Sequence, residues 1–143
     1  MAMTKNHSPA ALHVSRGVAT LDEADCRLRL RSGNLGRIAV KLGDDLVILP
    51  VYYAVMDEDI VFRTAPGTKL SAAILKTKVA FEVDARAPGW SVLVQGHAAP
   101  IREPEVQVRA RELLGSDWPA DERDQLVRIR TERITGRRLV PPT

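Results

Sequence analysis

The sequence predicts a mainly β protein whose strands form a small antiparallel barrel with helices packed at its edges. Six or so segments have the length and apolar pattern of β-strands, and only two or three show helical periodicity. Short turns join most of the strands, which favours hairpins over the crossover connections that a parallel sheet needs. We therefore expect a single domain over residues 20–143, preceded by a flexible N-terminal arm over residues 1–19.

The first predicted elements are a short helix and a β-hairpin. Thr20 stands three residues before Glu23, which is the spacing of a capping box, and the helix is expected to end near Gly33. Two apolar segments, LGRIAVKL and DLVILPVYYAV, flank a turn at Gly43–Asp45 that is typical of a hairpin. Pro50 lies inside the second segment and has no N–H group, so we expect strand pairing to be interrupted there.

Four further strands and two further helices complete the prediction. The strands are DIVFRT, KVAFEVD, GWSVLVQGHAAPI and QLVRIRTERITGRRL. Gly96, in the third of these, is a candidate for a bulge or a close approach of two backbones. One helix follows the Gly67–Lys69 turn, and the other has Pro104 near its first turn and Gly115 at its end.

The composition indicates an ordinary globular protein in a reducing compartment. The 143 residues carry a formal net charge of +3, which is too small to indicate a nucleic-acid partner by itself. Cys26 is the only cysteine, so an intramolecular disulfide is excluded. No apolar run approaches the roughly 20 residues of a membrane span, and the N-terminus is a poor secretory signal. We expect a cytoplasmic protein without membrane contact.

Positive charge is concentrated between Ile60 and Phe81, where no Asp or Glu occurs. Arg63 lies at the end of a predicted strand, and Lys69 lies in the first turn of the next helix, where acidic residues are normally preferred. A bound phosphate would explain both cations, together with the hydroxyl groups of Thr64 and Thr68. The alternative is that both side chains extend into water, at a cost of about 0.3–1 kcal/mol. The spacing leaves both interpretations open, and the segment is not a P-loop.

A second candidate site lies around Pro50. If this proline interrupts the pairing, the backbone near Val51 and Tyr52 becomes available to a planar polar ligand, beside an aromatic wall. The alternative is a bulged strand with two half-buried tyrosines. Trp90 opens a later strand, where it could stack on a ligand, seal a subunit interface or pack in the core.

The usual catalytic sets are absent from the sequence. His97 is the one histidine outside the N-terminal arm, so neither a zinc site nor another metal site is predicted. Ser91 has no histidine or acid at a recognisable spacing, which argues against acyl transfer. If the protein is an enzyme, a cofactor must carry the reaction. Arginines on the last strand suggest either an anionic ligand or a solvated strand face, and their alternation with apolar residues favours the solvated face.

The segments GRIAV, LVILPVYYAVMDEDIVFRTAPGTKLSAAI, VAFEVD, GWSVLVQGHA and ITGRRL, taken in this order, resemble the pyridoxamine 5′-phosphate oxidase-like family of flavin-binding split β-barrels. The resemblance extends from about Leu21 to Leu139 and is closest to short bacterial flavoproteins related to nitroimidazole reductases. It implies a six-stranded antiparallel split barrel of the FMN-binding type with peripheral helices. It also implies a homodimer that binds the cofactor between its subunits.

The resemblance further assigns cofactor-binding residues, which we group by the part of FMN that they would contact. The phosphate would lie near Arg63, Thr64, Thr68 and Lys69, the ring along Pro50, Val51 and Tyr52, and Trp90 and Ser91 would approach the ring from the partner chain.

The implied activity is flavin-dependent oxidation or reduction of a small molecule, with hydride or electron transfer through the flavin N5 and no side chain identified as catalytic. The chain lacks the C-terminal substrate segment of the biosynthetic oxidase, so pyridoxamine phosphate oxidation is not expected. Two alternatives are use of the deazaflavin F420 and a non-catalytic protein that binds a flavin or another anion. Nucleic-acid binding is not expected.

Overall fold

The computed structural model describes residues 18–87, 89–115 and 123–139. In chain order its elements are β1 (Val18–Leu21), α1 (Glu23–Ser32), β2 (Leu35–Leu42), β3 (Asp45–Met56), β4 (Asp59–Thr64), α2 (Lys69–Ile74), β5 (Lys78–Arg86), β6 (Gly89–Pro100), α3 (Pro104–Leu114) and β7 (Gln125–Leu139). None of the helices in these ranges is long and apolar enough to cross a membrane.

The six strands β2 to β7 form a closed antiparallel barrel. The strand order is β1-β7-β4-β3-β2-β5-β6, and a further pairing between β6 and β7 closes the ring. β1 lies outside the ring and pairs with the distal half of β7. The predicted fold class, a mainly β antiparallel barrel with short peripheral helices, is therefore confirmed, and β1 is an additional strand that the sequence did not indicate.

The structure corrects the prediction at the start of the domain. Thr20 does not cap a helix, because it lies in β1 opposite Arg137. The N-cap of α1 is Asp22, whose side chain accepts a hydrogen bond of 2.8 Å from the Asp25 backbone N–H. Residues 18 and 19, which were assigned to the arm, belong to β1, and residues 1–17 lie outside the described part of the chain.

Pro50 does not interrupt the pairing of β3 with β2, so that prediction is wrong. The register is continuous from Leu35 opposite Tyr52 through Arg37 opposite Pro50 to the end of the hairpin. The Tyr53 N–H donates to the Asn34 carbonyl at 3.0 Å, which places the odd-numbered residues of β3 in hydrogen-bonding positions toward β2. In an antiparallel ladder such positions alternate, so the missing N–H of Pro50 faces away from β2 and costs no bond there.

The β2–β3 hairpin diverges from both of its neighbours in the barrel. β3 pairs with β4 only over Tyr53–Met56, although β3 begins at Asp45. β2 pairs with β5 only over Arg37–Ala39. Two gaps therefore open beside the hairpin, one on each side, and each gap contains a cavity.

Two apolar clusters hold the elements together. The barrel interior is filled by fully buried side chains that include Phe62, Phe81 and Ile38, and α1 adds Leu30 and Cys26 at one end. Burial raises the pKa of the Cys26 thiol. A second cluster lies outside the barrel wall, where α3 packs on β3 and β4; its buried members are Met56, Val61, Ile101, Ala110 and Leu126.

The predicted irregularity at Gly96 is confirmed. The β6–β7 register shifts between Gln95 and Gly96, as in a β-bulge. A Cβ atom on Gly96 would lie 1.8 Å from the Arg130 carbonyl oxygen. Only glycine allows the two backbones to approach this closely.

Candidate functional site

The gap between β3 and β4 contains a cavity of about 360 Å³. Its lining residues are Leu35, Pro50, Val51, Tyr52 and Arg63. Four of these are among the nine predicted cofactor-binding residues. They come together because β3 and β4 stop pairing at Tyr53 and Phe62, one residue before Tyr52 and Arg63 would meet. The volume lies within the range of small-molecule sites.

Arg63 supplies the positive charge of this cavity. It lies near the end of β4 opposite Leu126 of β7, and its side chain is half-buried. It lines the cavity together with Tyr52, which lies opposite Leu35 of β2. A cation, an aromatic ring and an aliphatic side chain from three successive strands therefore face the same cavity.

Lys69 and the two threonines lie within six residues of Arg63, but none of them lines the cavity. Thr64 is half-buried at the end of β4, opposite Gln125. The Thr68 hydroxyl caps α2, where it accepts a hydrogen bond of 2.9 Å from the Ser71 N–H. Its acceptor capacity is therefore partly used by the fold, whereas Lys69 is exposed to solvent.

Arg63 and Lys69 have no carboxylate partner within the described ranges. Neither Arg63 nor Lys69 makes an ion pair there, in contrast to Arg109, which contacts Asp57, and Arg128, which contacts Asp59 at 2.8 Å. The charges therefore remain available to an anionic ligand.

The structure does not bring Trp90 and Ser91 to Arg63 within one chain. Trp90 is 8% exposed and belongs to the barrel core, and the Arg29 guanidinium lies 5.4 Å from its ring centroid. Ser91 lies in the middle of the sheet, between Asp84 of β5 and Arg137 of β7. Neither residue lines the cavity that contains Arg63.

The second gap, between β2 and β5, contains a cavity of about 450 Å³ that the sequence did not indicate. It shares Leu35 and Pro50 with the first cavity and is also lined by Arg37, Asp84 and Trp90. The only sign of this cavity in the sequence is a charged residue on each of two strands, Arg37 on β2 and Asp84 on β5. The observed structure is needed to show that these two side chains contact each other.

Arg37 bridges two carboxylates at this second cavity. Its Nη1 atom lies 3.0 Å from Glu82 Oε1 and 3.1 Å from Asp84 Oδ2. Burial raises the pKa of Glu82, and a hydrogen bond with Asp84 raises it further, while Arg37 acts in the opposite direction.

His97 is engaged in a surface contact away from both cavities. Its Nδ1 atom hydrogen-bonds to the Glu132 carboxylate, and this contact lowers the pKa of Glu132. Within the described ranges, no group of three or more His, Cys, Asp and Glu side chains is arranged to hold a metal ion.

Comparison with known proteins identifies relatives along almost the whole chain. Residues 22–138 match the model of the family described as "Pyridoxamine 5'-phosphate oxidase". The uncharacterized protein Rv0080 of Mycobacterium tuberculosis is 31% identical over 147 residues, which cover 96% of each chain.

Solved structures with the same fold include two flavin-binding proteins. The FAD binding protein from Mycobacterium smegmatis is 33% identical with a TM-score of 0.78, over 87% of this chain and 100% of that protein. A FAD-binding protein from Mesorhizobium loti is 25% identical with a TM-score of 0.74, over 85% of this chain and 97% of that protein.

Proposed function

We propose that this chain, which belongs to the pyridoxamine 5′-phosphate oxidase family, is a flavin-binding protein that works as a homodimer on a small-molecule substrate. The observation that carries the proposal is the cavity between β3 and β4, where a cation without an ion-pair partner in the described ranges adjoins an aromatic and aliphatic wall. These are the two features that a flavin nucleotide requires, an anchor for its phosphate and a surface for its ring.

The lining residues fit such a cofactor chemically. Arg63 can hold a phosphate through two parallel N–H donors, and Lys69 can add a point charge from the following helix. Pro50, Val51 and Tyr52 offer an apolar strand against which a planar ring can lie. When bound, a flavin supplies hydride or single-electron transfer through its N5 atom.

The residues of the chain bind and orient the cofactor in this proposal. The side chains that line the first cavity include no carboxylate, histidine or cysteine. Chemistry at this cavity therefore depends on the cofactor rather than on a side-chain acid or base.

FMN is the cofactor that we propose, and FAD is the specific rival. Two solved proteins with this fold bind FAD, as their names state. Both cofactors present a phosphate, so the cation at Arg63 suits either. We expect purified protein to be yellow, and chromatography of the small molecule released on denaturation will separate FMN from FAD. Colourless protein that takes up neither would contradict the proposal.

A second copy of the chain is the partner that we propose for the β2–β3 hairpin. Leu46 is 85% exposed and Ile48 is 69% exposed, on the face of β3 that also carries Pro50 and Tyr52. Exposed apolar side chains in a contiguous patch indicate an interface. A partner on this face would cover the cavity at Arg63 and could bring its own Trp90 and Ser91 to the ring.

The phosphate anchor can be tested by substitution. We expect the double variant Arg63→Ala/Lys69→Ala to bind FMN at least tenfold more weakly than the unaltered protein, because it loses both cations. Lys76→Ala is the matched control, since Lys76 is an exposed cation close to the end of α2. Affinities measured by quenching of flavin fluorescence give the comparison. Equal binding by the double variant and the control would refute the assignment.

Electron transfer is a separate part of the proposal and needs its own assay. We expect the flavin-loaded protein to be reduced by NAD(P)H or by reduced F420 and to be reoxidised by a small-molecule acceptor, with both steps followed at the visible flavin bands. Stable flavin binding without turnover by any donor and acceptor would instead support a storage or sensing role.

A further inference from the structure

Tyr53 lies at the point where β3 separates from β4. It stands opposite Phe62 in the last pair of the β3–β4 ladder, and the residues that follow outward on the two strands, Tyr52 and Arg63, line the first cavity. The Tyr53 side chain is 3% exposed and belongs to the barrel core. The last paired residue of β3 is therefore the immediate neighbour of a cavity-lining residue.

Two hydrogen bonds hold Tyr53 to the segment that leads from α1 into β2. Its backbone N–H donates to the Asn34 carbonyl at 3.0 Å. Its hydroxyl group donates to the Leu30 carbonyl in a buried contact. Leu30 lies in the last turn of α1, where backbone carbonyls have no acceptor role within the helix, so this bond satisfies a group that the helix leaves unpaired. Burial raises the pKa of Tyr53, so the hydroxyl stays protonated and continues to donate.

The Tyr53 ring packs edge-on against Phe81 inside the barrel. The ring centroids are 4.9 Å apart and the ring planes are inclined at 71°, which is a favourable aromatic geometry. Phe81 stands opposite Ile38 in the short β2–β5 ladder, and that ladder ends one residue later at Glu82. The aromatic pair therefore connects the two places where the β2–β3 hairpin separates from its neighbours.

Two glycines make room for this aromatic pair. A Cβ atom on Gly33 would lie 2.8 Å from the Tyr53 hydroxyl oxygen, and a Cβ atom on Gly36 would lie 2.3 Å from Phe81 Cζ. Gly33 has a φ of −103°, which any residue can adopt, so the contact and not the backbone conformation requires glycine there. The outer ends of both rings are thus seated against the backbone that begins β2.

We infer that Tyr53 is a positioning residue for the first cavity, and that together with Phe81 it fixes the distance between the β2–β3 hairpin and the rest of the barrel. Tyr53 does not contact the cofactor in this proposal. It acts through Val51 and Tyr52, because it ties their strand to α1. A strand anchored by buried contacts presents a wall of fixed position to a planar ring, without further ordering on binding. The effect on flavin binding rests on the proposed function, whereas the effect on the strand does not.

The hydroxyl group can be removed while the ring is kept. Tyr53→Phe loses the bond to Leu30 but retains the packing on Phe81, so we expect it to fold and to bind FMN about fivefold more weakly. Ile129→Val is the control, because it shortens a fully buried core side chain that pairs with Ile60 near the start of β4, away from the cavity. Urea unfolding ranks the stability of the two variants, and quenching of flavin fluorescence compares their affinities.

A second substitution reaches the same hydroxyl group from the opposite side. Gly33→Ala places a methyl group against the Tyr53 oxygen, so alone it should also weaken FMN binding about fivefold. In the Tyr53→Phe background the oxygen is absent, and the same alanine should change the affinity by less than about twofold. Additive effects of the two substitutions would overturn the role of the hydroxyl group. An affinity of Tyr53→Phe equal to that of Ile129→Val would do the same.

The strand itself is tested without cofactor. The Leu49 and Val51 amides occupy the same hydrogen-bonding positions toward β2 as the Tyr53 amide. In flavin-free protein, Tyr53→Phe should accelerate hydrogen exchange at these two amides about tenfold more than in β6, whereas Ile129→Val should not favour them. NMR of the full chain records both rates.

The two proposals fail in distinguishable ways. If the unaltered protein binds no flavin, the proposed function is refuted, and the exchange measurement still decides whether Tyr53 anchors the strand. Unchanged exchange at Val51 refutes the anchoring. Accelerated exchange with unaltered FMN affinity refutes the connection between the strand and the cofactor. Accelerated exchange together with weaker FMN binding supports the inference.

Discussion

Glu82, which is half-buried, and Glu132, which is exposed, have surroundings that change their pKa values in opposite directions. Burial and Asp84 raise the pKa of Glu82 above its ordinary 4.5, whereas the hydrogen bond with His97 lowers the pKa of Glu132 below 4.5. Folding therefore favours the protonated form of the first and the ionised form of the second. Linkage converts both shifts into pH-dependent stability.

The signs give a paired prediction. The contribution of Glu82 to the free energy of unfolding is greatest below pH 4.5 and is lost as the pH rises through its raised folded-state pKa. The contribution of Glu132 is present above pH 4.5 and is lost as the pH falls through its lowered folded-state pKa. We expect the stability of the Glu82→Gln variant, relative to the unaltered protein, to be higher near neutral pH than in acid. Glu132→Gln should show the reverse. Urea unfolding at two pH values gives the comparison, and parallel behaviour of the two variants would contradict it.

Gly96 is the residue whose substitution we expect to be most costly. An alanine Cβ would lie 1.8 Å from the Arg130 carbonyl oxygen, and neither backbone can move without opening the β6–β7 ladder. Gly96→Ala should lower the free energy of unfolding by about 3 kcal/mol or prevent folding, as overpacked sites do.

Gly67→Ala is the control for this prediction. Gly67 has a φ of +76° and open space around it, so alanine there incurs only the left-handed backbone cost of about 1 kcal/mol. Denaturant titration of both variants measures the difference. Equal losses would show that steric contact at Gly96 is not the cause.

Among the turns, the connection between β3 and β4 is strained because it has no glycine. Asp57 and Glu58 have φ angles of 51° and 73°, in the left-handed region that glycine favours. Their side chains are held by ion pairs with Arg109 of α3 and Arg27 of α1, respectively. These contacts connect the turn to both helices and offset part of the backbone cost.

The backbone cost of this turn can be isolated with two variants. Glu58→Gly and Glu58→Ala both remove the ion pair with Arg27, but only glycine relieves the strain at φ 73°. We therefore expect the glycine variant to be more stable than the alanine variant by about 1 kcal/mol in thermal or urea unfolding. An alanine variant of equal stability would mean that the turn stores no strain.

The barrel strands were predictable from the sequence to within a residue or two, because alternation and turn residues are local signals. β1 was not, since four residues without a distinct pattern become a strand only when Arg137 and its neighbours on β7 pair with them. The cationic segment around Arg63 could also be identified from the sequence. The second cavity was not, because the meeting of Arg37 with Asp84 depends on where two distant strands stop pairing.

At the scale of the whole molecule, the proposed dimer predicts a change of mass on substitution of the exposed hairpin. Leu46→Asp/Ile48→Asp places two charges in the face that we assign to the partner, so this variant should sediment as a monomer while the unaltered protein sediments as a dimer. The variant should also bind FMN more weakly, because the cleft at Arg63 loses its second wall.

Val108→Asp serves as the control for the dimer. Val108 is 53% exposed, but it lies on α3, outside the barrel. This variant should remain a dimer in analytical ultracentrifugation. A monomeric unaltered protein at micromolar concentration, or dissociation caused equally by either variant, would count against the hairpin as the interface.

β7 has a consequence for how the chain reaches its folded state during synthesis. It pairs with β1, β4 and β6 and is the last strand of the described chain. Until its residues leave the ribosome, the nascent polypeptide exposes the unpaired borders of β4 and β6, a state in which strands from other chains can attach. Ring closure is therefore a late, long-range event, and chaperone dependence should be greatest in the interval just before translation of this segment is complete.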